Sequence, residues 1–441
     1  MDNITGPDQE QVALWSESKN LVDRLIVVVG AGQSGMAAAR LGCKLQARVR
    51  VLEEDPASLT QDKCNSLAVM GAEFFSGQHL SEQFDGADMI VLSPGVTKRS
   101  LSQLMPENIP VVSELEMASW FVTEPIIAVT GTNGKTTTAS LVDHLLRHCG
   151  FDTFLGGNIG TPLSDFVLSD RKVDLLVLEV SSFQLQHTFT FRPNVSVFLN
   201  FAPNHLDYHR DLQDYLQAKL KIFQNQQEED WAILPEQLLS TIDTKAMRSR
   251  VIILDQPRSF QCPALKGPHN GLNIETALTA CQYFGLEEGK ILPALESYQA
   301  RPHRLQTVMD MKGLLFVDDS KATTLDALKA ALKSFERPIC LLAGGRYKGG
   351  DPGELADLLQ QKVRVVVLFG ENRQMFTEAW QDYVSVFWLP TLEQATYTIY
   401  SQAKSGDVIL LSPGTSSFDL FKNYKERGLA FQRVVESLTH A

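Results

Sequence analysis

The sequence predicts an α/β protein of three domains, each built on a mostly parallel sheet. Three observations carry this. The 441 residues exceed what one hydrophobic core usually holds. Short apolar runs recur along the chain and end in polar or glycine-rich turns, the pattern of strands buried on both faces. Two of those turns, far apart in the chain, are glycine loops between a strand and a helix, the context in which backbone N–H groups hold phosphate. Nothing repeats with a short period, and no low-complexity segment occurs.

Composition narrows the function. With 44% hydrophobic residues every domain can have a core, and a formal charge of −12 argues against a nucleic-acid surface. Anionic ligands must therefore be met by local sites. Cys43, Cys64, Cys149, Cys262, Cys281 and Cys340 contain no C-x-x-C, which suits reduced thiols and implies no metal cluster. The acidic N-terminal residues lack an apolar h-region, and no run of about 18 apolar residues occurs. The expectation is a soluble, cytoplasmic protein without membrane insertion.

The first domain is expected at residues 1–122. The run Leu25–Val29 reads as a buried strand that enters Gly30-Ala-Gly-Gln-Ser-Gly35 and then an Ala-rich helix, a full G-x-G-x-x-G in strand-to-helix context. A second strand at 49–52 ends in Glu53, where a dinucleotide fold places its ribose-binding carboxylate. Taken alone, this Rossmann-like pair reads as NAD-binding. A third strand, Met89–Leu92, ends in the turn Ser93-Pro-Gly-Val96. Candidate ligand contacts are Gly30, Gln33, Ser34, Gly35, Glu53 and Ser93.

The central domain, expected at 123–301, opens with a strand at 126–129 and Gly131-Thr-Asn-Gly-Lys-Thr136. This is a P-loop with two residues between its glycines instead of four. Gly131, Thr132, Asn133, Gly134, Lys135, Thr136 and Thr137 form the candidate cradle for a nucleoside triphosphate, with the Thr136 hydroxyl a ligand for Mg²⁺. The strand at 174–180 carries one acid at the end of its apolar run, Glu179. An ionised carboxylate there is costly unless paired or bound to a cation, so Glu179 is a candidate Mg²⁺ ligand or one half of a buried ion pair. The strand at 195–199 delivers His205 and Asp207 to its C-terminal end. A helix at 211–223 presents Leu212, Tyr215, Leu216, Leu220 and Phe223 at helical spacing. Lys219 borders that stripe, and on helix position alone it reads as a solvated charge. Strands at 231–234 and 251–254 follow. Asn270 and Asn273 then open a helix, as caps or as readers of an adenine edge.

The third domain, expected at 302–441, follows a polar connector at 298–305 that suits a hinge, as does the joint at 121–125. Strands at 314–317, Ile339–Ala343, Val363–Phe369 and Val408–Leu411 each end in a polar or glycine-rich turn. Four such turns on one sheet edge make a second, Rossmann-like site.

Together, Gly131-Thr-Asn-Gly-Lys-Thr136, Gly157-Asn-Ile-Gly160, Glu179-Val-Ser-Ser-Phe-Gln-Leu185, His205-Leu-Asp-Tyr-His209, Ala218-Lys219, His269-Asn270, Pro302-His-Arg304 and Asp319-Ser-Lys-Ala-Thr323 resemble the Mur ligase family in order and spacing over nearly the whole chain. The stretch from Ser412 to Tyr424 resembles its D-glutamate-adding branch. The resemblance implies an ATP-dependent ligase that phosphorylates a carboxylate and couples it to an amine. It further implies UDP-N-acetylmuramoyl-L-alanine (UDP-MurNAc-L-Ala) and D-glutamate as substrates, a monomer, two Mg²⁺ ions, and a Lys219 made anionic by CO₂. The catalytic set it assigns is Lys135, Glu179, His205 and Lys219. Arg304 and Asp319 join Asn270 and Asn273 on the nucleotide, and Asn158 contacts the UDP substrate. Lys321, Thr323, Lys348, Ser417 and Tyr424 receive the amino acid. Asn204 and Thr324 depart from the family pattern, which usually has Asp and often has Asn there. Other readings are a folylpolyglutamate synthase-like ligase and an NAD-linked oxidoreductase.

Overall fold

A computed structural model describes residues 7–206, 208–255, 258, 260, 262–265, 268–299, 301–347 and 350–438. Strands β1 (Leu25–Val29), β2 (Arg48–Glu53), β3 (Glu73–Ser76), β4 (Met89–Leu92) and β5 (Val111–Ser113) form a parallel sheet in the order β3-β2-β1-β4-β5. The order reverses between β1 and β4, which opens a crevice at their carboxyl ends.

The second sheet is also parallel. It contains β6 (Ile126–Thr130), β7 (Thr153–Gly157), β8 (Leu175–Glu179), β9 (Val195–Phe198), β10 (Trp231–Pro235) and β11 (Arg250–Leu254), ordered β11-β10-β9-β6-β8-β7. The third contains β12 (Gln306–Met311), β13 (Leu314–Asp318), β14 (Ile339–Ala343), β15 (Val363–Phe369), β16 (Ser385–Leu389) and β17 (Val408–Leu411), ordered β12-β13-β17-β14-β15-β16. Only β12 runs antiparallel to its neighbour. Apolar clusters cover these sheets, and β6 and β8 are buried along their whole length.

Five strands escaped the sequence reading: β3, β5, β7, β12 and β16. All five are edge strands. A strand with one neighbour needs less apolar surface: β3 is mostly exposed, β12 and β16 are nowhere fully buried, and β7 carries two glycines.

The first two domains share one apolar cluster, from Val12 to Ile242. They are also joined by polar bonds. The fully buried Glu116 accepts from the backbone N–H groups of Phe189 (3.0 Å), Thr190 (2.8 Å) and Phe191 (3.1 Å). Arg40 pairs with Asp165 at 2.8 Å, and Gln33 donates to the Gly160 carbonyl at 3.0 Å. The joint at 121–125, expected as a hinge, is thus bridged by hydrogen bonds and an ion pair. Contacts from the third domain and its connector to the central one include Thr324 Oγ1 to Asn133 Oδ1 at 3.4 Å and Arg301 Nε to Ser140 Oγ at 2.7 Å.

Candidate active site

The loop between β6 and the helix Lys135–His148 is held open by glycine. Gly134 has φ 83°, and a Cβ there would come within 2.7 Å of Asn273 Oδ1. Asn200, just beyond β9, braces the loop by accepting from Asn133 N at 2.8 Å and donating to Asn133 O at 3.0 Å. Lys135 folds back so that its Nζ donates to the carbonyls of Gly131 (2.8 Å) and Thr132 (2.9 Å). Burial holds its pKa below the usual lysine value, against the opposing pull of Glu179.

Glu179, at the end of β8, is 2% exposed and accepts from Thr136 Oγ1 at 2.5 Å and Asn158 Nδ2 at 2.7 Å. The alternative reading, a buried ion pair, finds no partner for Glu179 within ion-pair distance among the described residues. Asn158 therefore holds the carboxylate, and its amide is not an uncommitted substrate contact. Thr136 and Glu179 together offer oxygen ligands, the donor type that suits Mg²⁺.

Lys219 contradicts its base-rate reading as a solvated charge. It is 1% exposed, reaches the Gly131 carbonyl at 2.9 Å, and lies over the Tyr215 ring at 4.6 Å from its centroid. Burial, then the neighbouring Lys135, push its pKa well down. His205 has φ 56°, its N–H bonded to Asn204 Oδ1 at 2.9 Å, and its ring is edge-on to Phe183. Among the described residues no group of three His, Cys, Asp or Glu side chains gathers as a metal site. The donors here are instead a hydroxyl, a carboxylate, an imidazole and a lysine.

These groups face a cavity of about 520 Å³ between the central and third domains. Thr132, Asn133, Gly134, Lys135, Thr136, Thr137, Asn270 and Asn273 line it from the central side, and Arg304, Asp319, Lys321 and Thr323 from the other. Asn273 donates to Asn270 Oδ1 at 3.0 Å and accepts from Thr138 at 3.3 Å. Asp319 accepts from Ser412 Oγ at 2.8 Å and Leu305 N at 3.2 Å, and burial pushes its pKa up to about 7. Lys321 Nζ lies 4.3 Å from the Tyr424 ring centroid. Ser417 is buried in the turn after β17, where its carbonyl accepts from Phe421 N at 2.9 Å. Neither Ser417 nor Tyr424 lines the cavity. Lys348 and Asp207 lie outside the described residues, and the His269 side chain is not described.

The first-domain candidates form a separate place. Ser93 Oγ donates to Gly30 O at 2.7 Å, and a Cβ on Gly35 would meet that carbonyl at 1.9 Å. Glu53 accepts from Ala31 N at 2.6 Å and Asp55 N at 3.0 Å. Both side chains brace their own turns instead of standing free for a ligand. Gln33 bridges to the central domain, and Ser34 lies in the first turn of the helix Gln33–Lys44.

Sequence reading missed Asn200, Arg301 and Arg427. Arg427 is fully buried and donates to Ser320 O (2.8 Å), Ser320 Oγ (3.0 Å) and Thr415 O (3.1 Å), tying two third-domain turns together. Burial lowers its pKa to about 10. An arginine on an amphipathic helix carries no local signal of this.

Comparison with known proteins places this geometry. Family models match residues 24–113 (Mur ligase MurD-like, N-terminal domain), 129–253 (Mur ligase middle domain) and 303–414 (Mur ligase, glutamate ligase domain). The chain is 45% identical over 422 residues to a UDP-N-acetylmuramoylalanine–D-glutamate ligase of Desulfovibrio desulfuricans, covering 95% of this chain and 97% of that one. It is 46% identical over 418 residues to the ligase of the same name from Nitratidesulfovibrio vulgaris, covering 94% and 96%. Among solved structures, MurF ligase from Thermotoga maritima in complex with ADP aligns over 95% of this chain and 97% of its own, with TM-score 0.61 and 18% identity. A bifunctional folylpolyglutamate synthase/dihydrofolate synthase aligns over 68% and 91%, with TM-score 0.53 and 16% identity, a likeness of fold alone.

Proposed function

The chain belongs to the Mur ligase family, and from that premise we infer an ATP-dependent ligase of cytoplasmic peptidoglycan-precursor synthesis. It joins D-glutamate to the carboxylate of UDP-MurNAc-L-Ala and releases ADP and phosphate. The observation that carries this is one cavity shared by the phosphate loop and the third-domain turns, lined by Lys135, Glu179, Lys219, Asp319 and Lys321. Nucleotide and amine acceptor then meet across one gap.

The N–H groups of the loop and the helix start at Lys135 cradle the triphosphate, and Lys135 neutralises charge as the γ-phosphoryl group moves to the substrate carboxylate. The product is an acyl phosphate. The amine attacks its carbonyl carbon, a tetrahedral intermediate forms, phosphate leaves, and the nitrogen loses a proton. Thr136 and Glu179 would hold Mg²⁺, which supplies charge neutralisation on the phosphates when bound. Lys219, whose burial favours the neutral amine, adds CO₂ to form a carbamate and releases one proton, giving with His205 a second oxygen-and-nitrogen set for a metal. Lys321 and Thr323 receive D-glutamate at the cavity wall, Lys348, Ser417 and Tyr424 are further contacts that rest on the family resemblance alone, and Asn270, Asn273, Arg304 and Asp319 hold the nucleotide. The first-domain crevice around Gly30, Gln33, Ser34, Gly35, Glu53 and Ser93 takes the UDP end. One chain carries the complete set, so a monomer suffices.

Incubation with ATP, UDP-MurNAc-L-Ala and a panel of amino acids, with mass analysis of the UDP product, tests the reading. D-Glutamate addition is expected; addition of L-lysine or meso-diaminopimelate instead would move the chain to another branch. Melting shifts test the rivals, because selective binding raises the melting temperature. UDP protection is expected, and NAD or folate protection without it would overturn the assignment.

A further inference from the structure

Beyond the metal and phosphate groups, a hydrogen-bonded chain runs from a helix into the same cavity. Ser182 lines that cavity. Its Oγ lies 2.9 Å from His209 Nε2, and His209 Nδ1 lies 3.3 Å from Asp214 Oδ2. The imidazole packs against two rings, with Phe183 stacked at 5.7 Å and Tyr215 tilted at 5.1 Å between centroids. Ser182 and His209 are both 2% exposed. Asp214 is fixed in turn by Arg210 at 2.9 Å. Partial burial raises the Asp214 pKa, but its hydrogen bonds to Arg210 and His209 outweigh that and hold it below the usual value.

The chain has a direction. An ionised Asp214 only accepts, so Nδ1 carries a proton; in the neutral ring Nε2 then accepts, and Ser182 Oγ–H must donate to it. The Ser182 oxygen is left with lone pairs and no proton to offer. We propose that the Asp214–His209–Ser182 chain makes Ser182 Oγ a fixed acceptor that recognises the amide N–H of the acyl substrate. Ser182 follows Glu179 by three residues, at the start of the short helix Ser182–Leu185 that leads away from β8. The carboxyl to be phosphorylated has to lie beside Glu179 and the phosphate loop. Its own amide nitrogen is two bonds from the carboxyl carbon, about 2.5 Å away by standard geometry. A wrong partner lacking that N–H leaves the oriented oxygen unpaired, which is how a polar site rejects an analogue. Ser182 is then a specificity-determining residue, and His209 and Asp214 are positioning residues.

The inference rests on the ligase reading, and the experiment separates the two. Turnover of UDP-MurNAc-L-Ala by the wild type tests the reaction. An analogue with oxygen in place of the L-alanine nitrogen tests this proposal, through the amide-to-ester ratio of kcat/KM. The wild type is expected to favour the amide by about tenfold, the value of one hydrogen bond. Ser182→Ala should bring that ratio close to one, raise KM for the UDP substrate and leave KM for ATP unchanged. Ser182→Thr should restore part of it. His209→Phe keeps the aromatic packing but frees the Ser182 hydroxyl to rotate, so the ratio should fall part of the way, with the double variant no worse than Ser182→Ala; His209→Gln, which keeps an acceptor, covers the case of poor folding. A wild-type ratio near one, an unchanged ratio in Ser182→Ala, or additive losses in the double variant would overturn the proposal.

Discussion

Lys135 and Lys219 donate to the same oxygen: the Gly131 carbonyl lies 2.8 Å from one Nζ and 2.9 Å from the other. Two buried ammonium groups converging on one acceptor repel each other, and the more buried Lys219 yields. Its pKa is held well down by burial and by Lys135, so losing a proton costs this lysine less than it would cost an exposed one. Lys219→Ala should lose nearly all turnover and recover part of it in millimolar acetate or formate. Absence of recovery would leave Lys219 as a packing residue.

Lys135 has a different task. Its partners are loop carbonyls, so its charge lies against the loop whose backbone N–H groups would donate to a phosphate. Lys135→Ala should cut phosphate release by at least about a thousandfold, on the scale seen for charge-stabilising groups. Undiminished release would sink the P-loop assignment.

Glu114 makes a pH prediction. Its Oε1 accepts from Ser164 N at 2.6 Å across the first domain boundary, while Oε2 is buried with no hydrogen-bond partner among the described residues. Burial raises its pKa from 4.5 to about 7. The folded state therefore binds more protons than the unfolded one between those values, so stability falls as pH rises through that window and the cost is fully present above about 7. Glu114→Gln keeps the acceptor and removes the charge. It should stabilise the protein by on the order of 2–3 kcal/mol at pH 8 and by little at pH 4, read by urea denaturation. Equal gains at both pH values would refute the linkage.

Motion is expected at one joint, not two. Glu116 satisfies three backbone N–H groups across the first boundary, and hydrogen bonds to a charged group contribute roughly 1.5–3 kcal/mol each. Small-angle scattering with an ATP analogue and the UDP substrate should show compaction by movement of the third domain about 299–304, closing the cavity against water. A disulfide across the first boundary should leave turnover intact. If that cross-link stops the enzyme, the first joint moves after all.

Legibility followed local chemistry. The central strands β1, β4, β6 and β8 were readable because burial on both faces forces continuous apolar runs, and the P-loop because phosphate binding needs Gly131 and Gly134 at fixed steps from Lys135 and Thr136. Glu179 announced itself as an acid on an apolar strand. The edge strands other than β11 gave no such signal. Nor did Arg427, because a helix periodicity does not say which of its polar positions another element will cover.

By itself, then, the sequence determined the three-domain α/β architecture, the phosphate cradle, and a resemblance to the Mur ligases over nearly the whole chain. The tertiary structure alone decided which polar side chains are spent. Glu53 and Ser93 brace their own turns, Asn158 steadies Glu179, and Lys219 leaves solvent for the carbonyl that Lys135 already holds. The reason is physical: a strand or a loop is encoded by neighbours within a few residues, whereas burial and hydrogen-bond partnership depend on groups dozens of residues away that only the packed chain brings within 3 Å.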